Sequence, residues 1–112
     1  MKDTKLLKGT LQTIILKLLS GTKRMYGYEM TQQVKLLTEG EFILTEGALY
    51  PALHKLEAEG LLDTAIEVVD GRARKYYALT VKGKKAQVSK MKDALTFVEK
   101  LQVILNTKPI VS

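Results

Sequence analysis

The chain has 112 residues, which fits one domain of ordinary size. Hydrophobic residues at 46% and charged residues at 27% exclude a disordered chain, and the lack of cysteine excludes disulfides, zinc-thiolate sites and thiol nucleophiles. A net charge of +6 points to a polyanionic partner, either nucleic acid or an anionic membrane surface.

The start, Met1-Lys2-Asp3, leads into an apolar stretch interrupted by Lys8, Gln12 and Lys17. A secretory signal needs an unbroken apolar run of about 7–15 residues and a membrane span about 20, so neither is expected. The expected location is the cytoplasm. Leu7, Leu11, Ile14, Ile15, Leu18 and Leu19 fall on one helical face and Gly21 supplies a stop, which predicts a first helix over 7–19. A shorter helix is expected over about 27–37, with Met30, Val34 and Leu37 inward. Gly40 breaks that pattern, and Phe42-Ile43-Leu44 reads as a short extended stretch. Thr45 is suited to cap a third helix, in which Leu49, Leu53 and Leu56 continue at helical spacing to Gly60. Pro51 removes one N–H and crowds the preceding turn, so a local distortion is expected there.

Beyond Gly60 the period becomes two. Leu62, Thr64, Ile66 and Val68 alternate with Asp63, Ala65, Glu67 and Val69, the pattern of a strand. Asp70-Gly71 is a tight-turn pair, and a returning strand is expected over about 75–79. It carries Tyr76 and Tyr77, one of which should face the core. Arg72, Arg74 and Lys75 give the hairpin a basic end. Thr80 can cap a last helix running to about Asn106, before Pro109, roughly 40 Å long. Within it Val81, Val88 and Leu95 recur every seven residues, Met91, Val98 and Leu105 follow the complementary register, and Ala94, Phe97, Leu101 and Ile104 widen the stripe.

So small a chain buries only about 60–70% of its unfolded surface, and this stripe is longer than one small domain can cover. A second copy is the simplest cover, since closed two-fold symmetry is the commonest oligomeric solution. Val88, Met91, Ala94, Leu95, Val98, Leu101 and Leu105 are therefore the expected homodimer seam. The fold class that follows is mostly α with a small β-hairpin: a winged helix-turn-helix DNA-binding domain over 1–80, then a dimerisation helix and tail over 81–112. Three helices followed by a hairpin let the third helix enter a major groove, while the hairpin arginines are placed to reach a phosphate backbone or a minor groove.

The candidate DNA contacts are Lys23, Tyr26, Thr45, Gly47, Ala48, Tyr50, Pro51, His54, Lys55, Arg72, Arg74 and Lys75. Tyr50 lies beside the inward Leu49, so its ring should lean to the helix flank and offer its hydroxyl to DNA. Ala48 is placed to touch a thymine methyl. Gly47 and Pro51 shape the helix, glycine letting the backbone approach phosphates closely. His54 is the only histidine, too few ligands for a metal site. Lys55 is either a phosphate contact or a solvated charge, and Lys23, with Arg24, is a weaker phosphate site than the hairpin cations.

The run Gly47-Ala48-Leu49-Tyr50-Pro51-Ala52-Leu53-His54-Lys55-Leu56-Glu57, closing at Gly60-Leu61, resembles the recognition-helix signature of PadR-like transcriptional regulators. Tyr26-Gly27-Tyr28-Glu29 resembles the family's second block, and Gly71-Arg72-Ala73-Arg74-Lys75-Tyr76-Tyr77-Ala78-Leu79-Thr80 its third, in the same order. The resemblance implies a homodimeric repressor on a palindromic operator, often released by a small molecule, of the branch with a single helix after the wing. It calls for no cofactor. Ala73 stands where the family commonly has proline, which predicts a more mobile wing. The last helix holds one aromatic, Phe97, and the chain no tryptophan, so an aromatic-lined effector pocket at the dimer seam is not expected.

An enzyme is not expected, because no Ser-His-Asp spacing and no glycine-rich phosphate loop ahead of a helix is present. A winged helix used only for protein–protein contact is the main alternative, but it predicts a neutral or acidic wing. Membrane-surface binding by the last helix, which carries Lys82, Lys84, Lys85, Lys90 and Lys92, would require a monomer that binds liposomes.

Overall fold

The computed structural model describes residues 4–108; the Met1-Lys2-Asp3 start and Pro109 lie outside the described residues. The elements run α1 (Thr4–Ser20), β1 (Met25–Tyr26), α2 (Gly27–Leu37), α3 (Glu46–Ala58), β2 (Leu62–Val69), β3 (Arg72–Leu79) and α4 (Val81–Asn106). The apolar face of α1 buries Leu7, Leu11, Ile15, Leu16 and Leu19, while Ile14 and Leu18 are half covered at its border. Met30 and Val34 of α2 and Leu49, Leu53 and Leu56 of α3 pack onto that face, and Leu44, Leu61, Leu62 and Tyr77 close the same core. Leu37, expected inward, is 72% exposed. Val34 is the last α2 residue over the core; one turn further on, Leu37 only borders a groove between α1, α2 and α4.

Thr45 caps α3, its hydroxyl oxygen accepting the Ala48 N–H at 3.3 Å. The helix then runs unbroken through Pro51, so the expected distortion does not interrupt it. The carbonyl that loses its partner is that of Gly47, which is exposed, so water can supply the missing bond.

Phe42-Ile43-Leu44 forms no strand; Leu44 is instead a buried plug ahead of α3. The third strand comes from Met25–Tyr26, which pairs antiparallel with β3 through Met25↔Tyr77 and Tyr26↔Tyr76. The sheet order is β1-β3-β2. β3 begins at Arg72, earlier than expected, because pairing with β2 continues up to Val69↔Arg72 beside the turn. Asp70 and Gly71 hold φ of 51° and 76°, the left-handed pair that a two-residue hairpin turn requires. Tyr77 is the core tyrosine, and Tyr76 lies on the opposite face of the sheet.

Helix α4 starts at a Thr80 cap, whose hydroxyl oxygen accepts the Gly83 N–H at 2.9 Å. Its start buries Gly83 against Leu61 and Leu79, and the rest of its first half lies along α1, with Gln87 buried and Met91 and Ala94 half-buried. Every residue from 95 to 108 is exposed. The helix projects past the rest of the chain, so that the whole molecule measures 68 Å along its longest axis against 29 and 21 Å across. No helix among the described residues is long and apolar enough to cross a membrane.

Candidate nucleic-acid interface

Because Leu49, Leu53 and Leu56 point inward, α3 must present Gly47, Tyr50, Pro51, His54 and Lys55 on its opposite face, and all five are exposed. Thr45 is exposed at the head of this face; its oxygen serves the cap and its O–H remains a donor. Ala48 is turned part-way inward and packs against the core, which reduces what it can offer a base.

Tyr50 reaches back across the start of α2. A Cβ on Gly27 would stand 2.8 Å from the Tyr50 hydroxyl, so only glycine lets the phenol lie there. The α2 entry is itself fixed, since the Tyr26 N–H donates to the Glu29 carboxylate at 3.1 Å. Tyr50 and His54 of α3 thereby share one groove with the start of α2 and with Ala73, Arg74 and Lys75 of β3. Thr45, Gly47 and Pro51 continue the same helix face toward Lys8. Lys23 does not join them: it borders a separate cleft with Lys84 and Gln87 of α4.

The wing cations are not equivalent. On the outer sheet face, the Arg24 guanidinium donates twice to the Glu67 carboxylate, at 2.5 and 2.8 Å, and lies 4.0 Å over the Tyr76 ring. Tyr76 meets Tyr26 edge to face at 5.4 Å, and the Arg74 guanidinium sits 4.7 Å over Tyr26. Arg24's hydrogen bond holds the Glu67 carboxyl below the usual carboxylate range, against a smaller opposing effect of desolvation. The same pair raises the Arg24 guanidinium. On the inner face, Lys75 donates to Glu57 of α3 at 3.4 Å, and Glu57 also accepts the Thr64 hydroxyl at 3.1 Å. Burial pushes the Tyr77 phenol up, with Lys75 working against it.

Arg72, beside the turn, is therefore the most exposed wing cation; Arg74 offers the edge of a stacked guanidinium, and Lys75 is engaged with α3. The Tyr26 ring is taken up by Arg74 and Tyr76. These contacts tie the base of the wing to the α2 entry and to α3, whatever freedom Ala73 leaves near the tip. Sequence reasoning missed Arg24, Glu67 and Glu57 as partners. Recognising Met25–Tyr26 as a strand would have placed Arg24, Tyr26 and Tyr76 on one face.

Gly27→Ala should displace the Tyr50 ring and weaken DNA binding about tenfold, as expected for losing one hydrogen bond to a charged group. The thermal midpoint should change little, because the obstructing atom is the end of a side chain. Affinity matching the wild type would show that the seat of Tyr50 on Gly27 does not serve the interface.

The family described as "Transcriptional regulator PadR-like family" matches residues 15–88, more than half of the chain. A transcriptional regulator of Mycobacterium tuberculosis is 44% identical over 62 residues, covering 55% of this chain and 55% of its own length. Among solved structures, a transcriptional regulator from Clostridium thermocellum superposes with a TM-score of 0.81 at 26% identity, covering 92% of this chain and 99% of its own. A PadR family transcriptional regulator from Eggerthella lenta gives a TM-score of 0.77 at 25% identity, covering 94% of this chain and 89% of its own.

Proposed function

Since the chain belongs to the PadR-like family of transcriptional regulators, which are DNA-binding proteins and not enzymes, we propose that it works as a cytoplasmic homodimer that represses transcription from a palindromic operator. The observation that carries this reading is the single surface formed by the outward residues of α3, the Tyr50 hydroxyl and the wing, with Arg72 at its rim. In that reading Gly47, Tyr50, Pro51, His54 and Lys55 enter a major groove, Thr45 donates to a phosphate at the head of the helix, and Arg72 and Arg74 hold the adjacent backbone. The paired α4 helices set two copies of α3 about 34 Å apart, one turn of DNA. The repressor assignment follows the family resemblance.

The same layout supports an effector. Ile14, Leu18, Val34, Phe42, Met91 and Leu95 line an apolar groove of about 350 Å³ between α1, α2 and α4. A small apolar molecule there would shift α4 against α1 and so change the spacing of the two docking helices. It would regulate only through different affinities for the two arrangements.

The test is fluorescence anisotropy against DNA from the gene's own upstream region, with scrambled DNA as control. Binding about a thousandfold tighter than the control at physiological salt supports a sequence-specific regulator. Absence of binding even at low salt would leave the protein–protein module as the better reading. Arg72→Ala with Arg74→Ala should weaken binding to both DNAs and flatten the salt dependence by about 0.9 per lost phosphate contact. An unchanged slope would remove the wing from the phosphates.

A further inference from the structure

Side chains alternate across a sheet, so Leu62, Thr64, Ile66 and Val68 of β2 share the inner face with their β3 partners Leu79, Tyr77, Lys75 and Ala73. At the base this face is core: Leu62 and Tyr77 are buried. Further out the hairpin overruns the helices, and Ile66 and Val68 are 70% and 74% exposed. Two β-branched apolar residues, in the same period that builds the core, thus continue into a part of the wing that no element among the described residues covers.

The surroundings of this strip say what would cover it. Ala73, directly across from Val68, opens onto the groove that holds Tyr50 and His54, so the strip continues the docking face of α3. Lys75 lies across from Ile66 at its base, while Arg74 and Arg72 lie on the other face, Arg72 exposed at the tip. A second copy of the chain would bring like charges together there. A nucleic-acid backbone offers the complement: phosphates for the cations and, between them, the apolar carbons of the deoxyribose walls. Minor-groove binders commonly pair cations with apolar side chains in this way.

We propose that Ile66, Val68 and Ala73 form an apolar contact surface for the deoxyribose walls of the minor groove flanking the site of α3, with Arg72, at the tip of the wing on the opposite face, reaching the flanking phosphates. The proposal rests on the operator-docking reading and adds a component of affinity that salt does not screen, because apolar contact displaces water rather than counterions.

The experiment uses the full chain and a duplex enriched by it from a randomised pool. Ile66→Thr with Val68→Thr keeps both branched shapes and introduces hydroxyls. The expected result is a five- to tenfold weaker Kd with an unchanged salt slope and an unchanged dimer by light scattering. Hydroxyl-radical footprinting should show deoxyribose protection flanking the α3 site with the wild type and its loss with the variant. Unchanged affinity and footprint would overturn the proposal, as would a changed salt slope, which would make the effect electrostatic. Dissociation to monomers would overturn it in favour of a contact with a second copy. If the wild type enriches no duplex, the operator reading falls, and this proposal with it; if it enriches one and the variant binds it equally, only this proposal falls.

Discussion

Val98→Lys combined with Leu101→Lys should yield monomers by light scattering and lower operator affinity at least a hundredfold. Met91 and Ala94 are half covered by α1, but beyond them nothing among the described residues packs on α4. Val98 and Leu101 remain 47% and 39% exposed, and Leu95 and Leu105 are 61% and 72% exposed. Burying such a side chain stabilises an interface by about 1.5–3 kcal/mol, and a two-fold seam uses each one twice. Replacing it with a lysine removes that gain and puts an unpaired charge opposite its own symmetry mate. The effect on DNA follows from linkage, since joining two binding modules raises avidity by about 10²–10⁴ without a new contact. A variant that stays dimeric would place the seam elsewhere. A wild-type monomer that binds liposomes would favour the membrane-surface reading of the basic helix.

The elements legible in the sequence were those long enough to show a period. The stripe from Leu7 to Leu19, the Leu49–Leu53–Leu56 spacing and the heptads of the last helix all correspond to helices, and the alternation after Leu62 with Asp70-Gly71 corresponds to the hairpin. The outward face of α3 was legible for the same reason, because three inward leucines leave one face for Gly47, Tyr50, Pro51, His54 and Lys55. Met25–Tyr26 was not legible: two residues cannot display a period, and the strand exists only because β3 offers an edge. The partners of the wing cations were hidden behind it. Whether Arg74 stacks on Tyr26 and whether Lys75 meets Glu57 depend on register between segments far apart in sequence. Phe42-Ile43-Leu44 joins no sheet, because an apolar triplet ahead of a helix can serve the core through one residue, here Leu44, as well as through a strand.

Gly83→Ala should destabilise the fold by about 3 kcal/mol, at the upper end of overpacking costs, and lower the thermal midpoint by more than about 10 °C. Helix propensity alone predicts the opposite, since alanine is about 1 kcal/mol better than glycine inside a helix. The local packing reverses the sign. The start of α4 sits directly on the Gly60–Leu61 peptide: the Thr80 hydroxyl donates to the Gly60 carbonyl at 2.7 Å, and the Thr80 N–H donates to the Leu61 carbonyl at 3.1 Å. A Cβ on Gly83 would collide with that same Leu61 carbonyl oxygen and would lie 3.3 Å from Leu79 Cδ2. Backbone cannot swing aside as a side chain can, so relief requires α4 to lift away and stretch the bond from Thr80. Gly9→Ala provides the control: it lies in α1 with nothing within 4 Å of a new Cβ, so it should stabilise slightly. A Gly83→Ala midpoint at or above that of the wild type would mean that α4 is not seated on Leu61 as described. The joint matters for function as well as stability, because it sets the direction in which α4 leaves the DNA-binding domain. A variant that survives by tilting α4 should bind a single half-site normally and lose the gain from the second.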